Sequence, residues 1–566
     1  MKFKKFSILA VVIAIMLVIG ACGTGGDAPP AVDASATTEV QQEAQPAGDT
    51  ADEADEAEDD MDEPAEEVIA RDDWRDQIAA AHSGDEFTWV AMSDPPFLDP
   101  IGQNDSASSD INSQMYEGLM AFTAAPDNTL VPMLATGHPT VSADGLVYTF
   151  ELRQGVTFHN GEPFNADAVR LSMERLLASD APARFVLEMI DHVEVVSDYV
   201  VNIHLEFAFA PFPFHLTHQV GFIIAPAAIA EEEAGGRTVS QNPIGTGPFV
   251  LDYRIVGDYS RLVPNPNHWN AVPEVSVMWR TVPDTDTRIM MLQTGEANAL
   301  HAQVADIPRL QAMVQSDGVE LNLISGATLN YIAFNTQRGA LADYRVRQAV
   351  SMAINRENLL YGLAEGFGTL AAGPITDLVA YAPNVDGLPF DPARARELLE
   401  EAGFGDGLTL EYWYNTGNAM RARAGELVQD DLRAIGIDIN ITGLEWGEYL
   451  DRTGDGEHDM FYLGWQTMTM DADYGIEPLF HSRLAGRGGN RSFFVNERVD
   501  ALLEEGATTT SSARRYEVYQ EIVEILVYEA PMIFLFFPYL PLATNGLDNA
   551  EFTFTGIPRF YNATVR

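Results

Sequence analysis

Two glycine–tryptophan pairs and a pair of acids in the last third of the chain are the residues best suited to bind a small molecule. The pairs are Gly443 with Trp446 and Gly464 with Trp465. Ligand pockets are mostly apolar and aromatic, with few polar groups at defined places. Asp471 and Asp473 follow closely, and a carboxylate forms a charge-assisted bond with an ammonium group. The pattern predicts a pocket, with core packing as the alternative for each tryptophan.

Patterns of catalytic or metal chemistry do not accompany these residues. The sequence contains no GxSxG, HExxH, P-loop or CxxC motif. Its 11 histidines are not clustered, and the densest group of donors, at 455–459, lacks the spacing of a calcium loop or a zinc site. We therefore expect no enzyme activity, no cofactor and no metal site.

Acidic residues dominate the charge of the chain. Aspartate and glutamate number 84 against 33 lysines and arginines, for a formal net charge of -51. A surface of this sign repels phosphate backbones, so nucleic acid is not expected as a partner. Lysine occurs only at positions 2, 4 and 5. Among lysine and arginine, the rest of the chain therefore contains arginine alone.

The N-terminus has the pattern of a targeting segment. Basic residues at 2–5 precede an apolar stretch at 6–19 that is too short to span a membrane comfortably. It ends in Ile-Gly-Ala-Cys at 19–22, which resembles the bacterial lipobox. The resemblance implies a signal peptide at 1–21 and a lipid on Cys22, the sole cysteine. Such an anchor would hold the protein at the outer face of the cytoplasmic membrane, in a periplasm or at the cell surface.

An acidic spacer is predicted to follow Cys22. From residue 23 to about 68 the sequence consists mainly of alanine, glycine, proline, threonine and acids. Such a composition buries too little apolar surface to offset the entropy of ordering. We predict a lipidated cysteine and disordered linker at 22–85 that lifts the folded part off the membrane, with an acidic interaction tail as the alternative.

Local patterns predict several of the elements that must position the pocket. Residues 87–91 are typical of a strand, and the alternating residues 147–152 of half a hairpin. Asn165 is expected to cap a helix that begins at Ala166. The apolar run at 533–537 predicts a fully buried strand.

A family signature stands at 144–169, where the sequence reads DGLVYTFELRQGVTFHNGEPFNADAV. It resembles the signature of the peptide-, nickel- and opine-binding solute receptors, family 5 of the bacterial extracellular binding proteins. The resemblance covers roughly residues 86–566. Further pieces in the family's order are PIGTGPF at 243–249, LQTGE at 292–296, YIAFN at 331–335, RVRQAVSMAINR at 345–356 and LLEEAGF at 398–404.

The resemblance implies the architecture and the function. The expected fold is α/β, of the two-lobed periplasmic-binding-protein type II kind, with a hinge between the lobes and an extra subdomain in the first. The expected function is an extracytoplasmic receptor that captures a short peptide between the lobes and passes it to the permease of an ABC importer. The family also implies that the receptor is a monomer. The implied ranges are 86–123, 246–332 and 540–566 for lobe I, 124–245 for the subdomain and 333–539 for lobe II.

The resemblance also implies which residues contact the ligand. In the oligopeptide receptors, a tryptophan at the position of Trp446 and a pair like Gly464 with Trp465 line the pocket, and their backbone pairs with an extended peptide. The implied ligand-binding residues are Tyr116, Asn335, Trp413, Asn415, Trp446, Gly464, Trp465, Met468, Asp471 and Asp473.

The sequence departs from the family where the ligand's charges are recognised. Peptide receptors usually carry an aspartate three residues after the Gly-Trp pair, and this chain has Met468 there. Either Asp471 or Asp473 takes over as the partner of the ammonium group, or the ligand has no free amine at this point. The arginine with which dipeptide receptors hold the carboxylate is absent from 413–418. An oligosaccharide or other non-peptide solute, and a sensor without transport, remain open.

Overall fold

A computed structural model describes residues 72–82, 84–102, 105–487 and 489–566. The signal peptide expected at 1–21, the lipid expected on Cys22 and the linker up to residue 71 lie outside the described residues. Within the part that is described, none of the helices combines the length and the apolar character that a membrane crossing requires.

The first lobe contains the elements before residue 326 and the end of the chain from 539. Its helices are α1 (Asp73–Ala81), α2 (Ser106–Met115), α3 (Ala166–Ala178), α4 (Phe212–His215), α5 (Pro226–Glu233), α6 (Thr285–Thr294) and α7 (Ile307–Ser316). Its strands up to residue 325 are β1 (Glu86–Ala91), β2 (Met120–Phe122), β3 (Leu130–Pro132), β4 (Thr140–Val141), β5 (Val147–Glu151), β6 (Ile190–Ser197), β7 (Val200–Leu205), β8 (Phe249–Ile255), β9 (Tyr259–Pro264), β10 (Ser276–Thr281), β11 (Ala299–His301) and β12 (Glu320–Ser325).

The second lobe contains the elements from residue 327 to 538. Its helices are α8 (Tyr344–Ala353), α9 (Arg356–Ala364), α10 (Pro392–Glu401), α11 (Ala419–Arg433), α12 (Trp446–Gly454), α13 (Ala472–Phe480), α14 (Glu497–Thr508) and α15 (Ser512–Glu529). Its strands are β13 (Thr328–Phe334), β14 (Gly368–Leu370), β15 (Leu408–Asn415), β16 (Ile437–Leu444), β17 (Met460–Gln466) and the first half of β18 (Met532–Thr544). The chain ends in the first lobe with β19 (Leu547–Asp548), β20 (Glu551–Phe552), β21 (Pro558–Arg559) and β22 (Thr564–Val565).

One mixed sheet runs through both lobes in the order β16-β15-β17-β13-β18-β11-β1-β10-β9-β8. The long strand β18 lies at its centre. Its residues 532–538 pair with β13 and β14, and its residues 539–544 pair with β12 and β11. The chain therefore passes between the lobes along β18 and again between β12 and β13. A separate sheet, β4-β5-β7-β6, belongs to the first lobe.

The central strands are apolar because both of their faces are covered. Along β13, Tyr331 and Ala333 pack into one core cluster, while Ile332 and Phe334 pack into the cluster on the opposite face. Side chains alternate between the faces of a strand, so a strand covered on both sides has a continuous apolar sequence.

The elements predicted from local patterns are confirmed. The strand expected at 87–91 is β1, and the alternating residues 147–152 contain β5. Asn165 caps α3, with its Oδ1 accepting a hydrogen bond of 3.1 Å from the amide of Ala168. The apolar run at 533–537 lies within β18 and is buried throughout.

The linker predicted at 22–85 is too long at its C-terminal end, because residues 73–81 form helix α1. The side chain of Arg75 attaches this helix to the folded part. Its buried guanidinium donates hydrogen bonds to the carbonyl of Leu251 (2.7 Å), to Oδ1 of Asn242 (2.8 Å) and to the carbonyl of Pro243 (2.9 Å). Burial lowers the pKa of Arg75 to about 10. These bonds fix α1 against β8, an effect that the composition of the linker does not reveal.

We expect Arg75→Met to lower the free energy of unfolding by about 2–4 kcal/mol, since buried acceptors lose their donors. Chemical denaturation followed by tryptophan fluorescence measures the change. The matched control is Arg184→Met, at an exposed arginine whose side chain has no partner among the described residues. This control is expected to stay within about 0.5 kcal/mol of the wild type. Equal stability of the two variants would show that Arg75 does not anchor α1.

Candidate ligand-binding cavity

A cavity lies where the two lobes meet. The first lobe contributes the second half of α2, the loop around Trp269 and the C-terminal segment at 553–561, and the second lobe contributes Met468 and Met470. The cavity offers about 160 Å³ to the centres of water-sized groups, and about 1220 Å³ when its solvent-filled mouth is included. The first of these volumes is smaller than the ~300–1,000 Å³ of typical ligand pockets, so a ligand of that size also occupies the open mouth.

The wall formed by the end of α2 depends on a close backbone approach. The amide of Gly247 donates to the carbonyl of Met115 at 2.9 Å. A Cβ at Gly245 would lie 2.2 Å from that carbonyl oxygen, and a Cβ at Gly247 would lie 2.6 Å from it. Only glycine permits this contact. The Gly-rich turn therefore has a packing role, which places Tyr116 and Glu117 at the cavity.

Glu117 brings a buried carboxylate to this wall. Its Oε2 accepts a hydrogen bond from Oγ1 of Thr246 at 2.7 Å, and Nε1 of Trp269 donates to the two carboxylate oxygens at 3.0 and 3.1 Å. Nε2 of His268 lies 3.2 Å from Oε1. The protein itself satisfies the hydrogen-bonding capacity of this carboxylate, so Glu117 orients Trp269 and has no acceptor position left without a donor.

Arg559 brings a guanidinium to the same cavity from β21. The strand pairing of β21 with β20 places it opposite Glu551. Among the described residues, no side chain or carbonyl forms a hydrogen bond or an ion pair with the guanidinium. Burial lowers the pKa of Arg559. Sequence reasoning missed this residue, because no motif marks an arginine in the C-terminal segment.

Two of the predicted site residues, Tyr116 and Met468, line the cavity. The hydroxyl of Tyr116 donates to the carbonyl of Leu98 at 3.1 Å, so the buried ring is fixed in place. Met468 lies after β17, close in sequence to Met470. Thioether side chains are apolar and polarisable, so this part of the wall offers no charge to an ammonium group.

Asp471 is not at the cavity. Its carboxylate is fully buried, and both oxygens pair with the guanidinium of Arg515 at 2.7 and 2.8 Å. Oδ1 also accepts the amide of Asp473 at 2.9 Å as the cap of α13. This arrangement does not support Asp471 as the partner of the ligand's ammonium group, because Arg515 already neutralises its carboxylate.

Asp473 is buried beside this pair and does not line the cavity either. The hydroxyl of Tyr519 lies 3.5 Å from its Oδ1. Burial, together with the carboxylates of Glu477 and Asp471, raises the pKa of Asp473 well above its usual value. The structure does not support Asp473 as the partner of an ammonium group either, since an enclosed carboxyl held towards its neutral form is a poor partner for that group.

Asn335 and Trp413 serve the packing of the second lobe. Asn335 is buried, and its Nδ2 donates to the carbonyl of Gly456 at 2.8 Å. Trp413 is also buried, and the guanidinium of Arg452 lies 4.4 Å from the centre of its ring. Neither residue is among those that line the cavity.

Asn415 and Trp446 lie near the ends of β15 and β16, outside the cavity lining. Oδ1 of Asn415 accepts a hydrogen bond from Nη1 of Arg421 at 2.6 Å. Trp446 remains 45% exposed and stacks on Tyr449, with ring centres 5.9 Å apart. Of the two, Trp446 keeps a face that another molecule can contact.

Gly464 and Trp465 lie in β17. Nε1 of Trp465 donates to the carbonyl of Tyr474 at 3.0 Å, and the two rings stack with centres 5.6 Å apart. A Cβ at Gly464 would lie 3.4 Å from the carbonyl oxygen of Leu329, so the packing of the protein itself tolerates a side chain there. The fixed indole and the missing side chain leave the backbone of β17 accessible at this point.

The edge of β17 around Gly464 has no neighbouring strand in the described part of the chain, because β15 pairs only with Met460 and Phe461. On the other side, the amide of Thr467 donates to the carbonyl of Ala327. Residues of an antiparallel ladder alternate in direction, so the N–H and C=O of Gly464 point away from β13. An open backbone edge of this kind is able to pair with an extended peptide.

Metal chemistry finds no support in the arrangement of donors. The described residues contain no group of three or more histidine, cysteine, aspartate or glutamate side chains that could hold a metal ion.

Comparison with known proteins places the chain in a family. It matches the model described as bacterial extracellular solute-binding proteins, family 5 middle, over residues 129–486. It is 32% identical over 482 residues to the glutathione-binding protein GsiB of Pectobacterium atrosepticum, a match that covers 83% of this chain and 90% of that protein.

Solved structures share the fold. HbpA2 from Haemophilus parasuis superposes with a TM-score of 0.78 at 28% identity, covering 85% of this chain and 100% of the other. The ABC transporter-associated periplasmic binding protein DppA from Helicobacter pylori, in complex with the peptide STSA, gives a TM-score of 0.70 at 26% identity and covers 85% and 98%. The expected α/β architecture with two lobes is thus confirmed, and the chain belongs to family 5 of the bacterial extracellular solute-binding proteins.

Proposed function

We propose that this protein captures a short peptide in the cavity between its lobes and delivers it to the permease of an ABC importer. The observation that carries the proposal is the cavity itself, whose walls come from both lobes of a solute-binding protein. A ligand that contacts both lobes stabilises their closed arrangement. That arrangement differs in surface from an open one, which gives the permease a way to recognise the loaded protein.

Two observations support a peptide as the ligand. The relative GsiB is named for binding glutathione, and the solved DppA structure contains the peptide STSA. In this chain, the backbone edge at Gly464 is open. Gly464 is not itself a lining residue, but it lies four residues before Met468 at the cavity, and main-chain pairing recognises a peptide whatever its side chains. A sugar has no peptide backbone that could pair with the open edge of β17.

The hinge in this proposal is the place where β18 changes partners, beside the connection from β12 to β13. The proposed bodies follow the expected ranges, with lobe I at 86–123, 246–332 and 540–566, its subdomain at 124–245 and lobe II at 333–539. The pairing of β13 with β17 moves the boundary expected at 332 back to the start of β13. Contacts across the cleft accompany the closed form. Nδ2 of Asn128 donates to the carbonyl of Leu378 at 3.0 Å, and the amide of Ala210 donates to the carbonyl of Ala507 at 2.7 Å.

The place of action is outside the cytoplasm, as the family is extracellular. We propose further that residues 1–21 are removed as a signal peptide and that a lipid on Cys22 anchors the protein to the membrane. A monomer with one ligand site is sufficient for delivery to the permease. The net charge of -51 supports the view that nucleic acid is not a partner.

Thermal unfolding of the purified chain tests the class of ligand. We expect reduced glutathione or tri-alanine to raise the midpoint, because a ligand at a hundred times its Kd stabilises the folded state by about 2.7 kcal/mol. Maltotriose and nickel chloride serve as comparison solutes and are expected to leave the midpoint unchanged. A shift with maltotriose and none with any peptide would contradict peptide capture.

Filling the cavity with a large side chain tests whether the ligand binds there. Ser113 lines the cavity on α2, so Ser113→Trp is expected to weaken peptide binding by about tenfold or more, as the indole occupies space the ligand needs. Isothermal titration calorimetry measures the affinity. Ser512→Trp, at an exposed position of α15, is the matched control and is expected to bind normally. Normal binding by Ser113→Trp would place the ligand elsewhere.

A further inference from the structure

The acidic and the strongly basic side chains that line the cavity differ in how they are bonded. The carboxylate of Glu117 is satisfied by Thr246, His268 and Trp269. The guanidinium of Arg559 reaches the same cavity without a hydrogen bond or an ion pair to any residue that the structure describes. The charged group that the wall leaves without a hydrogen-bond partner is therefore the guanidinium of Arg559.

This situation differs from that of the buried arginines elsewhere in the protein. Arg75 donates to Asn242 and to two backbone carbonyls, and Arg515 pairs with Asp471. A guanidinium in a recessed position without acceptors raises the free energy of the protein, because the charge has lost water and gained no partner. An anionic ligand that supplies acceptors to Arg559 offsets this cost.

The neighbours of Arg559 hold it in position without neutralising it. The carbonyl of Pro558 accepts a hydrogen bond from Nε2 of Gln114 at 2.6 Å, which fixes β21 against α2. Glu551 lies opposite Arg559, but its carboxylate accepts the hydroxyl of Tyr561 at 3.3 Å and does not form an ion pair with the arginine. The attraction of Glu551 offsets only part of the effect of burial, which lowers the pKa of Arg559.

The rest of the wall offers no corresponding site for a positive ligand group. The second lobe contributes Met468 and Met470, which are uncharged. Asp110 lies on α2 but is not among the lining residues. Burial, together with the carboxylate of Asp105, raises the pKa of Asp110 well above its usual value and favours its neutral form. An ammonium group therefore has no unpaired carboxylate to meet in the cavity.

We propose that Arg559 binds a carboxylate of the captured peptide, and that this contact, instead of recognition of a free amine, selects peptides with a free carboxylate as ligands. The inference rests on the proposed peptide-binding function. A guanidinium and a carboxylate match in a planar, two-pronged geometry. This clamp comes from the C-terminal segment of the first lobe, and not from 413–418, where the resemblance to dipeptide receptors would place it.

Calorimetric titration of the wild type and Arg559→Met tests the proposal with three probes: reduced glutathione, its diethyl ester and N-acetylglutathione. The wild type is expected to bind the two acids with similar affinity. It is expected to bind the diester roughly ten- to a hundredfold more weakly, because the charge-assisted hydrogen bonds are lost. Arg559→Met is expected to bind glutathione as weakly as the wild type binds the diester, with no further loss for the diester.

Two further variants separate a lost contact from a lost fold. Arg280→Met is the matched control, since Arg280 is half-buried in β10, has no partner among the described residues and does not line the cavity. It is expected to bind glutathione with wild-type affinity. Arg559→Lys keeps the charge, and it is expected to retain a preference for the acid over the diester. If Arg559→Met does not fold, the affinities of Arg559→Lys for the acid and the diester still test the proposal.

Three results would overturn the inference while leaving peptide capture intact. They are equal affinity of the wild type for glutathione and its diester, wild-type affinity of Arg559→Met for glutathione, and loss of binding on N-acetylation alone. If no peptide binds the wild type while a sugar does, the proposed function fails and this inference fails with it.

Discussion

The pairing of β18 with strands of both lobes is the constraint on which the architecture depends. The backbone groups of a buried strand must be hydrogen-bonded along its whole length. The first half of β18 satisfies them with β13 and β14, and the second half with β12 and β11. Because the partners change within a short stretch, a small rotation there disturbs few hydrogen bonds. The two lobes can then move as bodies while their own sheets stay intact.

The second constraint is electrostatic. In a chain with 84 acids, and with arginine as the basic residue of the folded part, most arginines find a carboxylate or a carbonyl. Arg515 shows the strength of this tendency, since it takes both oxygens of Asp471 and lies 4.2 Å from the ring centre of Tyr381. Against such an excess of acids, an arginine without a partner at a cavity is informative. Arg559 is in that position because β21 holds it at the wall and the carboxylate of Glu551, on the paired strand, accepts a hydrogen bond from a tyrosine.

Local sequence patterns predicted the elements, and the family resemblance predicted the architecture. The strand at 87–91, the cap at Asn165 and the buried strand at 533–537 were predictable because the information lies within a few residues. The resemblance supplied the connection between these elements, which periodicity alone does not contain.

The side chains of the site were less predictable, because their roles depend on distant partners. Asp471 and Asp473 have the chemistry of an ammonium site, but Arg515, 44 residues after Asp471, occupies the first, and burial changes the ionisation of the second. Arg559 was missed because its neighbour Pro558 contacts Gln114, which lies 444 residues earlier in the sequence. Sequence reasoning also placed the ligand against tryptophans of the second lobe, whereas most of the cavity wall belongs to the first lobe.

A crystal structure of the protein with reduced glutathione tests the binding mode most directly. We predict the peptide between α2, the C-terminal segment and Met468, with one of its carboxylates ~3 Å from the guanidinium of Arg559. Glutathione bound elsewhere, or bound in the cavity with both carboxylates turned away from Arg559, would contradict the proposed mode of capture.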